Sequence, residues 1–435
     1  MLRTTWRAAS LWVMLGTICA LGNGPSARLV VEHDWAGRGQ WLRADLHVHT
    51  KFSDGVATVG AIADRARTHG CDALAVTDHA DRSLNAATSG YQSAIEAARD
   101  AHDDLVMLAG LEWNVPPRGG DDHVSLLVPP GRKEWATLAA FKERFDDFEL
   151  GDRPKPDADE ALRWLAGEYE GEPIGPVLIY NHPSRKHLAS MEAVADLEGW
   201  RAVNDLVIGF EGAPGHQGDR EIGSYSYAEK TIDRWDPATA RPGDAWDTLL
   251  GRGLNVHGAL SGSDFHNPNP RDLNDRWPCQ FSETWLYVPE ATESGVLRAL
   301  RAGAFFGVHG HIAREVELSV NLNGLPRPAT AGEVVELPAA GVADVSLRFV
   351  VPETDWEGMP NRIATVEFIA ITPDALTVMP HQVSGSGLHE VSQSVPVGEH
   401  GVAIRARGRR VVPDGPDLMF YTNAVRIVVT RRGGL

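Results

Sequence analysis

With 435 residues, 43% hydrophobic and 23% charged, the chain is too long for one ordinary domain and has the composition of a soluble globular protein with a large core. The formal net charge of -18 argues against sequence-independent nucleic-acid binding, which rests on Lys and Arg neutralising phosphates. Part of that acidity suits carboxylates that serve cations, and the rest is a solvated surface.

Residues 1–27 read as a signal peptide. Arg3 and Arg7 form a basic start, and the apolar run from Ala8 to Leu21 follows. That run is shorter than the roughly 20 residues a membrane span requires. The mature protein is therefore expected outside the cytoplasm, periplasmic or secreted, with no stable membrane span after processing. Cys71 and Cys279 are the cysteines left after residue 27. In an oxidising compartment they either pair or remain buried thiols.

From Leu42 to His266 one pattern recurs: a short apolar, β-branched run that ends in His, Asp or Glu. The runs are Leu42–Thr50, Ala73–His79, Val106–Glu112, His123–Val128, Val177–His182, Leu206–Glu211 and Ala259–Asp264. Continuous apolar runs are expected of strands buried on both faces. Helical spacing separates several of them, at Thr58–His69, Ser93–His102 and Trp135–Phe145. Strands alternating with helices predict a parallel βα barrel over residues 28–312, with its chemistry at the carboxyl ends of the strands. Phe281–Val288 reads as one more strand at the edge of that domain. After Gly310 helical spacing disappears. Short β-like runs at Val316–Leu322, Val342–Val351, Ile363–Ile371, Gly401–Arg407 and Ala424–Thr430, punctuated by Gly and Pro, predict an all-β sandwich-like domain over 313–435.

The ligand-type residues fall where those strands end. His47 and His49 are two apart on a strand and so point to one face, with Asp45 on the same face. Asp54 follows on a turn. His79, Glu112, His182, Asp264 and His266 end later runs, and His123 opens one. Mixed imidazole and carboxylate ligands without Cys suit Zn, Mn or Fe.

Asp45-Leu46-His47-Val48-His49-Thr50 with Ser53-Asp54-Gly55, Thr77-Asp78-His79, Gly110-Leu111-Glu112, His182-Pro183 and Ser263-Asp264-Phe265-His266 occur in order. In these motifs the chain resembles PHP (polymerase and histidinol phosphatase) domain metallohydrolases over about residues 42–310. The resemblance implies an α/β fold, a distorted barrel of seven strands, and about two or three divalent ions. Carried over, one ion takes His47, His49, Glu112 and Asp264. A second shares Glu112 and takes His123 and His182. A third takes Asp54, His79 and His266. The export signal, the appended β domain and Thr284-Trp285-Leu286-Tyr287-Val288 also resemble the carbaryl-hydrolase-like branch, whose chemistry includes carbamate cleavage.

No Gly-x-Ser-x-Gly elbow or catalytic-Cys context is present, so the expected nucleophile is water, activated as a metal-bridged hydroxide. Glu112 is the expected bridge, Asp264 or a site histidine such as His182 the proton donor to the leaving group, and Asp45 and Asp78 the residues that orient ligands. Arg185, Lys186 and Arg82 are candidate clamps for an anionic substrate. The leading expectation is a phosphoesterase acting on a small-molecule ester. The alternative is a carboxyl-ester or carbamate hydrolase with the same metals, for which Trp113, Tyr180 and Trp246 are candidate apolar walls. A binding protein with a silent barrel is disfavoured because each expected ligand type is present. His309 and His311 are read as structural.

Overall fold

Apolar runs flanked by capped helices build the first half of the computed structural model, which describes residues 26–148, 156–185, 191–215, 230–268 and 275–430. Lys186 and almost all of the expected signal peptide lie outside the described residues. In chain order the elements are β1 (Arg28–Val31), β2 (Gln40–Asp45), α1 (Val59–Thr68), β3 (Ala73–Val76), α2 (Ser89–Ala101), β4 (Val106–Asn114), β5 (His123–Leu127), α3 (Glu134–Phe145), α4 (Ala158–Glu168), β6 (Val177–Tyr180), α5 (Glu192–Val203), β7 (Val207–Pro214), α6 (Pro237–Ala240), α7 (Ala245–Gly251), β8 (His257–Gly262), β9 (Ser282–Val288), α8 (Glu293–Ala302) and β10 (Phe305–His309). α1 shows the local logic. Thr58 caps its first turn by accepting from the Ala61 amide, and Val59, Ile62, Ala63 and Ala66 form its buried stripe.

Strands β2 to β8 pair in sequence order. Most of these pairs are parallel, but β5 runs antiparallel to both β4 and β6. The parallel barrel expected from the sequence needs that correction. The link from Asn114 to His123 carries one short 3-10 turn and no crossover helix, and a parallel return needs a longer connection. Just beyond β2 and β8 the chain ends meet. Val48 and Phe265 form a parallel bridge, and the His49 amide donates to the Phe265 carbonyl at 2.9 Å.

The further strand expected at Phe281–Val288 is β9, which pairs antiparallel with β2 on one side and β10 on the other. β10 in turn pairs with a strand near the carboxyl terminus. The later elements are β11 (Arg314–Asn321), β12 (Ala329–Thr330), β13 (Val334–Leu337), β14 (Gly341–Val351), β15 (Thr365–Ile371), β16 (Leu376–Gln382), β17 (Gly387–Val397), β18 (Val402–Arg410), β19 (Leu418–Thr422) and β20 (Val425–Val429). The β10–β19 pairing carries the first sheet into this half without a break, and β1 joins it through β13. A second sheet has the order β12-β11-β14-β17. Leu318, Val345, Leu347 and Val395 from that sheet and Val335, Phe368, Ile404 and Val425 from the other fill one core, which also takes in Phe281, Phe306 and Val308. Among the described residues no helix is long and apolar enough to cross a membrane.

Two links join residues far apart in sequence. Cys71 and Cys279 form a disulfide with their Cα atoms 5.6 Å apart, spanning 208 residues of sequence. Arg405 on β18 makes a two-pronged pair with Asp247 on α7, Nε to Oδ1 at 2.7 Å and Nη2 to Oδ2 at 3.0 Å.

His309, at the end of β10, has an unusual setting. It is fully buried between Trp235 and Phe281, with ring centroids 4.8 and 5.1 Å away. Among the described residues neither ring nitrogen has a hydrogen-bond partner. Burial, aided by the nearby Arg234 charge, holds its pKa well below the ordinary value of 6.5. The unfolded chain therefore binds a proton near pH 6.5 that the folded chain refuses. Stability from this group is intact above that pH and is lost as pH falls below it, by at most about 1.4 kcal/mol per pH unit. His309→Phe keeps a ring in the slot and removes the titration. Urea unfolding of the two proteins is expected to diverge steadily below pH 6.5, in favour of the Phe variant. Parallel pH curves would contradict this reading.

Candidate metal centre

The nine residues nominated as ligands come from the ends of several strands and from the turn after β2, and they converge. Glu112, near the end of β4, is 1% exposed and sits at the middle. Its Oε1 lies 3.2 Å from His47 Nε2, 3.1 Å from His123 Nδ1 and 3.4 Å from His182 Nε2. Its Oε2 lies 3.2 Å from His49 Nε2 and 3.0 Å from His79 Nδ1. Asp264 places Oδ1 3.2 Å from both His47 Nε2 and His49 Nε2, and 3.6 Å from His266 Nδ1. Asp54, on the turn after β2, reaches His266 at 3.3 Å, His49 at 3.6 Å and His79 at 3.7 Å.

His123 explains itself through the strand direction. Because β5 runs antiparallel to its neighbours, its first residue lies level with their last ones. Two of the site residues have unusual backbones. His182 has φ 32° and Asp264 φ 47°, in the left-handed half of the map where residues with a Cβ are uncommon and such strain collects at functional sites.

Neighbouring polar groups orient these side chains. Asp78 Oδ1 accepts from the Thr50 amide at 2.7 Å and the Ser53 hydroxyl at 2.5 Å, which pins the turn that carries Asp54. Asp45 Oδ1 accepts from the His47 and Ser263 amides at 3.3 and 3.1 Å and so ties β2 to the end of β8. Burial raises the Asp45 pKa to about 7. Two partners carried no role in the sequence reading. The Asn181 amide donates to Glu112 Oε1 at 2.8 Å, and Glu211 on β7 lies 3.2 Å from His47 Nδ1. Glu211 ends the Leu206–Glu211 run just as the other ligands end theirs, and that was the available signal.

The candidate clamps separate. Arg185 stands at the rim, a third exposed, with Nη1 3.8 Å from Asp264 Oδ2 and 3.4 Å from His182 Nε2. Arg82 is instead engaged with Glu143 on α3, at 3.0 Å from Nε to Oε2. Trp113, Tyr180 and Trp246 are each at most 1% exposed and belong to the core. They are not a substrate wall, because their rings fill the space between sheet and helices. His311 packs beside Arg43 and the Cys279 carbonyl, at 3.2 and 3.0 Å.

Charge is shared across the cluster. Burial alone lowers the pKa of the His47 ring, but Asp264, Glu211 and Glu112 raise it well above the ordinary value. His79 is raised to about 9 against burial, by Glu112 and Asp54. Burial alone raises the pKa of Glu112, but His123, His47 and His79 hold it well below the usual carboxylate range. Burial carries His182 to about 3. Without another cation, the carboxylates thus draw protons onto the rings. A metal ion competes for the same positions.

The donors also fit divalent ions by type and spacing. His49, Asp54, His79 and His266 offer ligand atoms that all lie within 4.8 Å of one another, as do His47, His49 and Asp264, and also His79, Glu112 and His123. Nitrogen and carboxylate oxygen without thiolate suit Zn, Mn or Fe. Residues 45–171 match the PHP domain family. The chain carries a PHP domain. His182, Asp264 and His266 lie beyond the matched stretch and complete the same cluster. A curated relative, an uncharacterized protein of Methanocaldococcus jannaschii, is 35% identical over 85 residues, which is 18% of this chain and 36% of that protein. The chain thus spans about a third of that relative's length. Among solved structures, a two-domain protein of Bacteroides vulgatus described as containing a predicted PHP-like metal-dependent phosphoesterase is 15% identical. That match covers 89% of this chain and 95% of the other, with a TM-score of 0.41. An amidohydrolase of Chromobacterium violaceum with bound sulfate and no metal is 18% identical over 60% of this chain and 96% of its own, with a TM-score of 0.35.

Proposed function

We propose that the chain is an exported, metal-dependent phosphoesterase acting on small phosphate esters. The observation that carries this reading is the convergence of His47, His49, Asp54, His79, Glu112, His123, Asp264 and His266 into three overlapping ligand groups, six of these residues lying in the stretch that matches the PHP domain, with Arg185 at the rim. Divalent ions bound there supply a nucleophile from water near neutral pH and polarise the scissile oxygen.

The chain's own residues do the rest. The two oxygens of Glu112 face different halves of the cluster and set their spacing. His47 and His49, on the segment just beyond β2, present Nε2 atoms to the same carboxylates. Asp264 has its Oδ2 on the side of Arg185, so a proton held at that oxygen is placed to pass to a leaving group at the rim. The Arg185 guanidinium offers paired donors to phosphate oxygens. Export is supported by the basic and apolar start of the chain and by the Cys71–Cys279 disulfide, since disulfides persist in oxidising compartments.

A phosphate substrate is favoured over a carbamate because, among the described residues, a cationic side chain borders the cluster while the nominated aromatic residues lie in the core. Purified protein loaded with Mn, Zn or Fe and offered a chromogenic phosphate and a naphthyl carbamate tests this. Faster turnover of the carbamate would overturn the substrate class. Arg185→Ala is expected to raise KM for the phosphate by about tenfold or more, the loss of a charged hydrogen bond, with a smaller change in kcat. An unchanged KM would remove Arg185 from substrate binding.

A further inference from the structure

We infer that Glu211 is a positioning residue that fixes which nitrogen of His47 faces the metal centre, an inference that rests on the metal-centre reading above. Glu211 is 2% exposed, near the end of β7. Its two carboxylate oxygens lie 3.2 and 3.3 Å from His47 Nδ1. The opposite nitrogen, Nε2, faces Glu112 Oε1 and Asp264 Oδ1 at 3.2 Å each.

A neutral imidazole carries one N–H, and an ionised carboxylate only accepts. Glu211 therefore selects the tautomer with the proton on Nδ1 and leaves the Nε2 lone pair pointing into the cluster. A carboxylate on the far nitrogen also raises the basicity of the ligating one and locks the ring plane. The oxygens of Glu211 belong to none of the three ligand groupings among the described residues, so it acts through His47.

The chain makes room for this contact at Gly262, the last residue of β8. A Cβ there would stand 2.6 Å from Glu211 Oε1 and 3.0 Å from His47 Cβ. Any side chain at 262 would push the carboxylate off the ring. Asp45 fixes the same histidine from the other direction, through its amide. His47 is thus held at backbone and ring, and of these two holds only the Glu211 contact specifies the tautomer.

The test compares wild type, Glu211→Gln and Glu211→Met, each stripped with chelator and titrated with Mn²⁺ or Zn²⁺ against a competing dye. Glutamine keeps an oxygen that accepts from Nδ1–H; methionine does not. Glu211→Met is expected to weaken metal binding by roughly 10–100-fold, while Glu211→Gln stays within a few-fold of wild type. Wild-type affinity in Glu211→Met would overturn the inference, even if its metal-free melting temperature fell. Equal losses in both variants would also overturn it, because they would show that the charge itself contacts the ion. If Glu211→Met does not fold, long-range ¹H–¹⁵N correlation on the His47 ring of the Zn²⁺-loaded wild type decides: Nδ1–H is expected, and Nε2–H contradicts. These readouts need no turnover. A wild type that binds metal but cleaves no ester sinks the proposed function and leaves the role of Glu211 standing.

Discussion

A Glu112→Gln protein is expected to fold as the wild type does, to bind at least one ion fewer and to lose roughly a hundredfold or more of its turnover, a loss that removing even an outer partner of a ligand can reach. Charge is the reason. Cations held close together in a buried pocket repel, and an anion between them offsets that repulsion. Glu112 is buried and has five imidazoles within 3.4 Å of its two oxygens: His47, His123 and His182 on Oε1, and His49 and His79 on Oε2. Glutamine keeps the size and loses the charge and one acceptor. The Asn181 amide that now donates to Oε1 would have to share the remaining oxygen or lose its bond. Packing around the side chain is unchanged, so unfolding should shift only by the lost metal contribution. Elemental analysis beside turnover decides. Full occupancy and wild-type rate in Glu112→Gln would show that another residue bridges the halves.

Arg405→Ala is expected to destabilise the protein by about 3–5 kcal/mol, the cost of leaving a buried partner charge alone. Both side chains of the Arg405–Asp247 pair are at most 2% exposed, so water cannot replace the lost guanidinium. Arg405 also lies over the Trp246 ring, 4.7 Å from its centroid, and truncation removes that contact too. Replacing both partners by apolar residues of similar volume, Arg405→Met with Asp247→Leu, should recover much of the loss. The recovery should be incomplete, because Asp247 also accepts from the Gly243 amide at 2.8 Å. Urea unfolding of the two singles and the double gives the coupling. Losses below about 1 kcal/mol in Arg405→Ala, the level of an exposed pair, would contradict a buried link between α7 and β18.

The strands of the PHP domain were legible because burial on both faces leaves an unbroken apolar run, and each run stops at a residue that apolar packing does not explain. His47, His49, Glu112, His182, Asp264 and His266 were readable for that reason. The direction of β5 was not, since an apolar run carries no arrow. Only the short link before His123 hinted at a reversal. Residues 376–397 gave no strand signal, because β16 and most of β17 lie on the surface with few buried side chains to mark a period. β1 pairs with residues some 300 positions away, a contact that no local pattern encodes. Arg82 was nominated from its nearness in sequence to His79, which does not say which way a side chain turns, and the structure pairs it with Glu143 on α3. Glu211 stood in plain view at the end of its run, but its role depends on a ring from another strand and on the bare Gly262 beneath it.

The most direct measurement strips the purified protein of metal, confirms the loss by elemental analysis, and then follows hydrolysis of a chromogenic phosphate as Mn²⁺, Zn²⁺ or Fe²⁺ is returned. A metal-dependent hydrolase built on this cluster should be silent when stripped and recover with more than one equivalent of ion per chain, and an Asp264→Asn protein should fail to recover. Hydrolysis that persists in the stripped protein, or ions that bind equally well after Asp264→Asn, would place the chemistry somewhere other than the convergence of His47, His49, Glu112 and Asp264.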